Sequence, residues 1–386
     1  MRPCELALFV ACGAAVGCAG RSRSGGADGA RFEERPRWLV EQMPDGPLKT
    51  RLRACADRPL RATRFSIGHR GAPLGFPEHT KESYEAAARM GAGLIECDVT
   101  FTKDLGLVCR HSQCDLATTT NILAIPALAA RCSSPRSAAA PATGKAASPT
   151  CCTSDLTLNE FESLCGKMEG TAACGRVMSH AESIALIDHL GRDFIPELKP
   201  PSVPMPFQGT YSDALYAQQL VDEYEHAGIS PGRVHLQSSD RRVLAYWRAH
   251  APRFGENAIF LEERVDTTAD YDAAVAELPA LAGEGIRVIA PPMWALLALD
   301  EDRRIVPSRY AMTAKRLGLD ILTWTLERGF SLEQGGGYYY RSVAPAITSE
   351  GDVYVLLDVL ARQVKIRGIF SDWPATATYY ADCMGL

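Results

Sequence analysis

From Phe65 onward the sequence alternates short apolar or β-branched runs with amphipathic helical stretches. That rhythm confines the chain to parallel strands joined by crossover helices. Eight runs read as strands: Phe65 to His69, Leu94 to Val99, Phe194 to Leu198, Val234 to Gln237, Ala258 to Glu262, Arg287 to Ala290, Asp320 to Trp324 and Gly368 to Ser371. Helical stretches fall between them over 81–90, 182–190, 212–226, 241–249, 269–281, 308–317 and 353–364. Eight is the number that closes a (β/α)8 TIM-type barrel. A doubly wound open sheet also fits the alternation, because closure leaves no mark in a single sequence.

The rhythm breaks once. More than ninety residues separate Val99 from Phe194, and within them an Ala/Ser/Pro/Gly stretch from Ser133 to Thr150 cannot pack a core. This predicts a long insertion between strands 2 and 3, over 112–180. Just before it, Leu107 to His111 reads as an extra strand folding back, and Thr157 to Phe161 as the start of a short helix.

The N-terminus has a different composition. Arg2, an apolar run from Leu6 to Val16 and small residues ahead of Cys18 read as an export signal over 1–18. The run is too short to span a bilayer. The residues before Cys18 also resemble a bacterial lipoprotein cleavage box, which would put a lipid anchor on Cys18 and the protein in the periplasm or on a membrane. An uncleaved apolar leader is the plainer alternative, with Glu5 beside the run in its favour. The Gly/Arg/Ser/Pro-rich segment that follows lacks apolar periodicity and is read as a tether over 19–60, with the barrel over 61–386.

Thirteen cysteines are many for 386 residues, and ten remain beyond Cys18. An even number suits disulfides in an oxidising compartment, and Cys132, Cys151, Cys152, Cys165 and Cys174 crowd into one loop-like region that invites a staple. A zinc site finds no paired CxxC with histidines. The net charge of −5 and the absence of a basic run interleaved with aromatics argue against a nucleic-acid partner.

In such a barrel, polar groups at the C-terminal ends of strands gather at one mouth. The first strand ends in Gly68-His69-Arg70-Gly71, the second carries Glu96-Cys97-Asp98, the third ends in Glu197-Leu198-Lys199, and His111 ends the extra strand. Glu96 and Asp98 lie two apart, so they share one strand face while Cys97 takes the other. With Glu197 they offer three hard oxygen donors, a set that suits Ca²⁺ or Mg²⁺. His69 and His111 supply an acid and a base, and Arg70 and Lys199 can neutralise phosphate oxygens. Solvated or arginine-paired acids are the plain reading of the same carboxylates. His180, His189, His226, His235 and His250 read as core or surface residues, with His79 intermediate.

These motifs, with Pro77-Glu78-His79-Thr80, Thr102-Lys103-Asp104, Leu107-Val108-Cys109-Arg110-His111, Leu322-Thr323-Trp324-Thr325 and Gly368 to Pro374, resemble the glycerophosphodiester phosphodiesterase family from about Phe65 to Tyr380. The Pro-Glu-His-Thr form resembles its exported bacterial branch. The resemblance implies that His69 and His111 are the acid/base pair and that Arg70 contacts phosphate. It further implies that Glu96, Asp98 and Glu197 bind one divalent cation, that Lys199 lies beside the phosphate, and that Trp324 and Glu78 line the substrate site. The implied activity is hydrolysis of a small glycerophosphodiester to glycerol 3-phosphate and an alcohol. A phospholipase D-like enzyme acting on whole lipids and an anchored, non-catalytic binding protein are the alternatives. The insertion, Leu105 where a Gly often follows Lys-Asp, and the cysteines depart from the family pattern.

Overall fold

In the computed structural model, which describes residues 25–133 and 149–386 apart from positions 169, 266 and 330, the apolar runs form thirteen strands. They are β1 (Thr63–Gly68), β2 (Ala92–Phe101), β3 (Leu107–Cys109), β4 (Cys165–Lys167), β5 (Cys174–Arg176), β6 (Asp193–Leu198), β7 (Gln237–Ser238), β8 (Ile259–Leu261), β9 (Val288–Ala290), β10 (Leu297–Leu299), β11 (Ile305–Pro307), β12 (Asp320–Leu326) and β13 (Gly368–Ser371). Eight of these pair in parallel in the order β1-β13-β12-β9-β8-β7-β6-β2, and pairing of β1 with β2 closes the ring. This is a TIM-type barrel, and the open-sheet alternative falls. β3 lies antiparallel on β2, outside the ring.

Parity along each strand decides what faces inward. Ile67, Leu94, Ile195, Leu261, Leu322 and Phe370 belong to one buried cluster that fills the barrel. Two residues further along the same strands or their ends come His69, Glu96, Glu197, Glu263, Trp324 and Asp372. A single inward face thus changes from aliphatic to polar as each strand reaches the mouth. The outward faces pack on the crossover helices in a separate, larger core that includes Val99, Phe194, Leu220, Trp247 and Ile369.

The tether expected over 19–60 requires correction from Gly25 onward. Gly25–Gln42 is a helix, and Pro47–Arg53 is a second one. Phe32, Leu39, Val40 and Met43 are buried, with Phe32 packed edge-on to Trp373 at 5.7 Å and tilted against Phe76 at 6.4 Å. These apolar residues follow helical spacing but are sparse among Arg and Glu, so composition hides an amphipathic stripe. The leader and Cys18 lie outside the described residues.

Five disulfides pair all ten cysteines beyond Cys18: Cys55–Cys383, Cys97–Cys109, Cys114–Cys152, Cys132–Cys151 and Cys165–Cys174. Three of them staple the segment after His111, whose own small core contains Leu116, Ile122, Leu156, Phe161 and Val177. The low-complexity stretch at 134–148 lies outside the described residues.

Candidate active site

The turn after β1 is shaped by backbone demands. Arg70 and Gly71 both have positive φ, 54° and 92°, and a Cβ on Gly71 would collide with Ser83. Glycine alone fits there. Ser83 Oγ donates to Arg70 O at 3.0 Å and accepts from Ala72 N at 2.8 Å, so the helix Lys81–Arg89 fixes this turn. The result puts His69 and Arg70 over the barrel axis.

Parallel pairing of β2 with β6 sets Asp98 directly beside Glu197, and Glu96 precedes Asp98 by two residues on the same face. All three carboxylates are buried. Arg70 N donates to Glu96 Oε2 at 2.5 Å, Arg70 Nε lies 3.4 Å from Asp98 Oδ2, and Lys199 Nζ lies 2.7 Å from Glu197 Oε1. Burial and the neighbouring Asp98 push Glu96 well above the carboxylate range, and burial raises Glu197 to about 8 against the pull of Lys199. Asp98 is held low although burial opposes this, because Lys199 and a hydrogen bond from His79 favour its charge. Buried acids in this proximity repel; Arg70 and Lys199 offset part of that charge, and the hard oxygen donors fit a divalent cation.

His79, Glu96 and Asp98 offer ligand atoms within 4.8 Å of one another. Both nitrogens of His79 are engaged, however: Nε2 with Asp98 Oδ2 at 2.8 Å and Nδ1 with Tyr84 Oη at 3.0 Å. The fully buried ring therefore orients a carboxylate rather than offering a free lone pair. Arg110 braces the same loop, donating to Glu78 O at 2.8 Å and His79 O at 3.2 Å.

His69 Nδ1 lies 2.6 Å from Asp372 Oδ1, and Arg328 Nε donates to Asp372 Oδ2 at 2.8 Å. A carboxylate on Nδ1 selects the Nδ1–H tautomer and leaves Nε2 as a lone pair. Burial lowers His69 to about 4, against the opposing charge of Asp372. Burial likewise lowers His111 to about 3, so both rings are neutral near pH 7.

A cavity of about 280 Å³ at the mouth is lined by His69, Arg70, Glu96, Asp98, His111, Glu197, Lys199 and Trp324 together with Gln237, Leu261, Glu263, Arg328, Tyr339 and Phe370. The fold thus brings eight of the nine site residues named from sequence to one place. The ninth, Glu78, stands just behind, its Oε2 accepting from Arg70 Nη1 at 2.8 Å. Sequence reading passed over Asp372, Arg328, Glu263 and Tyr339. The first three follow barrel strands within two residues, so the strand-end rule that found His69 could have found them. Tyr339 sits in a long connection after β12 and carries no such signal.

Residues 69–376 match the model of the glycerophosphoryl diester phosphodiesterase family. A protein of Arthroderma benhamiae described as an extracellular protein is 46% identical over 218 residues, covering 56% of this chain and 89% of that one. Among solved structures, a Silicibacter pomeroyi protein described as a "putative glycerophosphoryl diester phosphodiesterase" superposes with a TM-score of 0.56 at 19% identity, covering 87% of this chain and 98% of that one. An Oleispira antarctica phosphodiesterase, solved with the product sn-glycerol-3-phosphate, gives 0.50 at 16% identity, covering 82% and 96%. At these identities the structural likenesses show the shared barrel.

Proposed function

The chain belongs to the glycerophosphoryl diester phosphodiesterase family and is a phosphoric diester hydrolase; from that premise we propose that it cleaves glycerophosphodiesters to glycerol 3-phosphate and an alcohol, using the residues gathered at the barrel mouth. The observation that carries this reading is the shared cavity of three buried carboxylates and two neutral imidazoles, one of them held by Asp372. The product bound to the Oleispira antarctica phosphodiesterase supports the same product here.

Glu96, Asp98 and Glu197 would hold a Ca²⁺ or Mg²⁺ ion, and when bound the ion supplies charge neutralisation for the phosphate and polarisation of an attacking oxygen. His79 orients Asp98 for that task. Arg70 and Lys199 place fixed positive charge where the non-bridging oxygens gain charge in the transition state. His69 Nε2 accepts the proton of the attacking oxygen, and the imidazolium so formed is stabilised by Asp372. His111 returns a proton to the departing alkoxide as the bridging P–O bond breaks. Arriving phosphate adds negative charge beside His111 and favours its protonated form. Glu78 holds Arg70 in place, and Trp324 packs against the substrate's carbon skeleton.

The experiment is release of glycerol 3-phosphate from glycerophosphocholine with and without chelator. Activity should vanish on chelation, return with Ca²⁺ or Mg²⁺, and fall by about 10² to 10⁴ in His69→Ala. Full turnover in chelator removes the carboxylates' assigned role, and full turnover in His69→Ala removes the base.

We also read the chain as exported, with a leader over 1–18, an anchor on Cys18 and an insertion over 112–180. Five disulfides and the name of the Arthroderma benhamiae relative support export.

A further inference from the structure

The catalytic groups occupy one side of the mouth. In the ring order, His69 follows β1, Glu96 and Asp98 stand on β2, and Glu197 and Lys199 come from β6, three neighbouring strands. Diametrically opposite β2 is β9, and its two neighbours β8 and β12 carry Glu263 and Trp324 at their inward-facing ends. The cavity therefore has two poles.

The far pole is aromatic and acidic. Trp324 and Tyr339 both line the cavity, with ring centroids 5.9 Å apart and planes at 74°, so a ring face meets a ring edge and the two form a corner. Trp324 is anchored by its Nε1 donating to Ala290 O at 2.8 Å. Tyr338 stacks behind it, 6.5 Å away and 22° from parallel. Glu263 is exposed to the same cavity and makes no hydrogen bond or ion pair among the described residues. The other acids there all have partners: Glu78 has Arg70, Asp372 has His69 and Arg328, Glu96 has Arg70 N, Asp98 has His79 and Glu197 has Lys199. Lys199 is the cation whose charge reaches Glu263, and its ammonium is already paired with Glu197 at 2.7 Å; Arg328 is met by Asp372 at 2.8 Å and Glu78 at 3.8 Å.

Aromatic faces attract a weakly hydrated quaternary ammonium, and a carboxylate with no hydrogen-bond partner attracts an ammonium of either kind. We propose that Trp324, Tyr339 and Glu263 form a subsite for a cationic head group, a quaternary or primary ammonium, on the alcohol side of the diester. The proposal rests on the hydrolytic reading above and deepens it. With the phosphate fixed between Arg70 and Lys199, a zwitterionic substrate spans the mouth from the ion-binding acids to the aromatic corner. A neutral head group such as glycerol gains nothing from that corner.

The test compares kcat/KM for glycerophosphocholine with that for glycerophosphoglycerol in wild type, Tyr339→Leu and Glu263→Gln. The ratio should exceed one in wild type and drop by about fivefold to thirtyfold in Tyr339→Leu. In Glu263→Gln, an exposed and fold-neutral change, it should drop by about threefold, and by less at high salt. Equal losses on both diesters, or a wild-type preference for the neutral one, overturn the subsite while leaving the hydrolytic reading intact. Lysophosphatidylcholine run in parallel separates the two sources of the cation, since Tyr339 sensitivity on either choline ester supports the subsite and identifies the carrier. If wild type turns over no diester, the parent reading fails. Calorimetric binding of glycerophosphocholine then decides the subsite alone: weakening in Tyr339→Leu supports it, and unchanged binding overturns it.

Discussion

Asp372 stands one residue beyond β13 and touches no part of the cavity's carboxylate trio, yet by engaging Nδ1 it determines which nitrogen of His69 stays free. Asparagine in its place keeps the shape and loses the charge that stabilises an imidazolium. For Asp372→Asn we expect kcat for glycerophosphocholine to fall by about 10² to 10⁴, with KM little changed, since a proton carrier acts in the transition state and not in binding. A fall confined to KM would place Asp372 in substrate binding instead. His69 also ties pH to stability. Burial lowers its pKa from 6.5 to about 4, so between those values the unfolded chain binds the proton more readily. The ring's contribution to stability is whole above pH 6.5 and is lost as pH falls towards 4. Urea midpoints measured across that window should therefore fall less steeply in His69→Gln than in wild type. At this scale the sequence exposed every group that sits on a strand end of distinctive motif. Asp372, Arg328 and Glu263 also follow strand ends but were passed over: the pairing of Asp372 with His69 and Arg328 joins residues from different strands, and Glu263 gains meaning only beside the closed ring's cavity.

His111 depends on an element with little support of its own. β3 has three residues and hangs on the outer side of β2 by antiparallel pairing at Val99–Cys109, Thr100–Val108 and Phe101–Leu107. The Cys97–Cys109 disulfide fastens it, joining the residue between Glu96 and Asp98 to the one two positions before His111. Both half-cystines are buried. The paired variant Cys97→Ala/Cys109→Ala should lose about 2 to 3 kcal/mol of stability, the scale for a short closed loop. It should lose kcat by a larger factor than it raises KM, because the proton donor loses its placement while Arg70 and Lys199 keep theirs. Unchanged kcat would show that strand pairing alone positions His111. Elements were the most legible level of the sequence. The eight barrel strands fall within a few residues of their expected bounds, since each is a short apolar run flanked by turn residues. The helix Gly25–Gln42 escaped because its polar residues dominate the composition; its buried Phe32, Leu39 and Val40 are sparse, and Phe32 acquires meaning only against Trp373 and Phe76. The cysteine pairings escaped for a simpler reason: connectivity depends on which loops meet in space.

Closing a barrel brings the two ends of the chain's folded body together, because β1 must pair with both β2 and β13. A second covalent tie guards that seam. Cys55 precedes β1, Cys383 lies near the end of the helix Ala375–Met384, and their bond joins residues 328 apart in sequence. The same junction is laced by Arg61 N donating to Asp382 Oδ2 at 2.7 Å, by Thr63 Oγ1 donating to Leu386 O at 3.2 Å and by Tyr379 Oη donating to Leu52 O at 2.6 Å. A helix that follows a barrel strand runs back towards the strand's starting end, so this bond sits at the end of the barrel remote from the mouth. Its effect is then on the unfolded chain, whose freedom it restricts by closing a very long loop. Replacing both cysteines by serine should cost about 3 to 5 kcal/mol, read as a lower urea midpoint, while kcat/KM for glycerophosphocholine at room temperature stays at the wild-type value. The Cys97–Cys109 variant should behave in the opposite sense, with a smaller loss of stability and a larger loss of turnover. If the Cys55–Cys383 variant instead loses turnover while folded, the seam between β1 and β13 must transmit strain to His69 and Asp372, the two residues that extend those strands into the mouth.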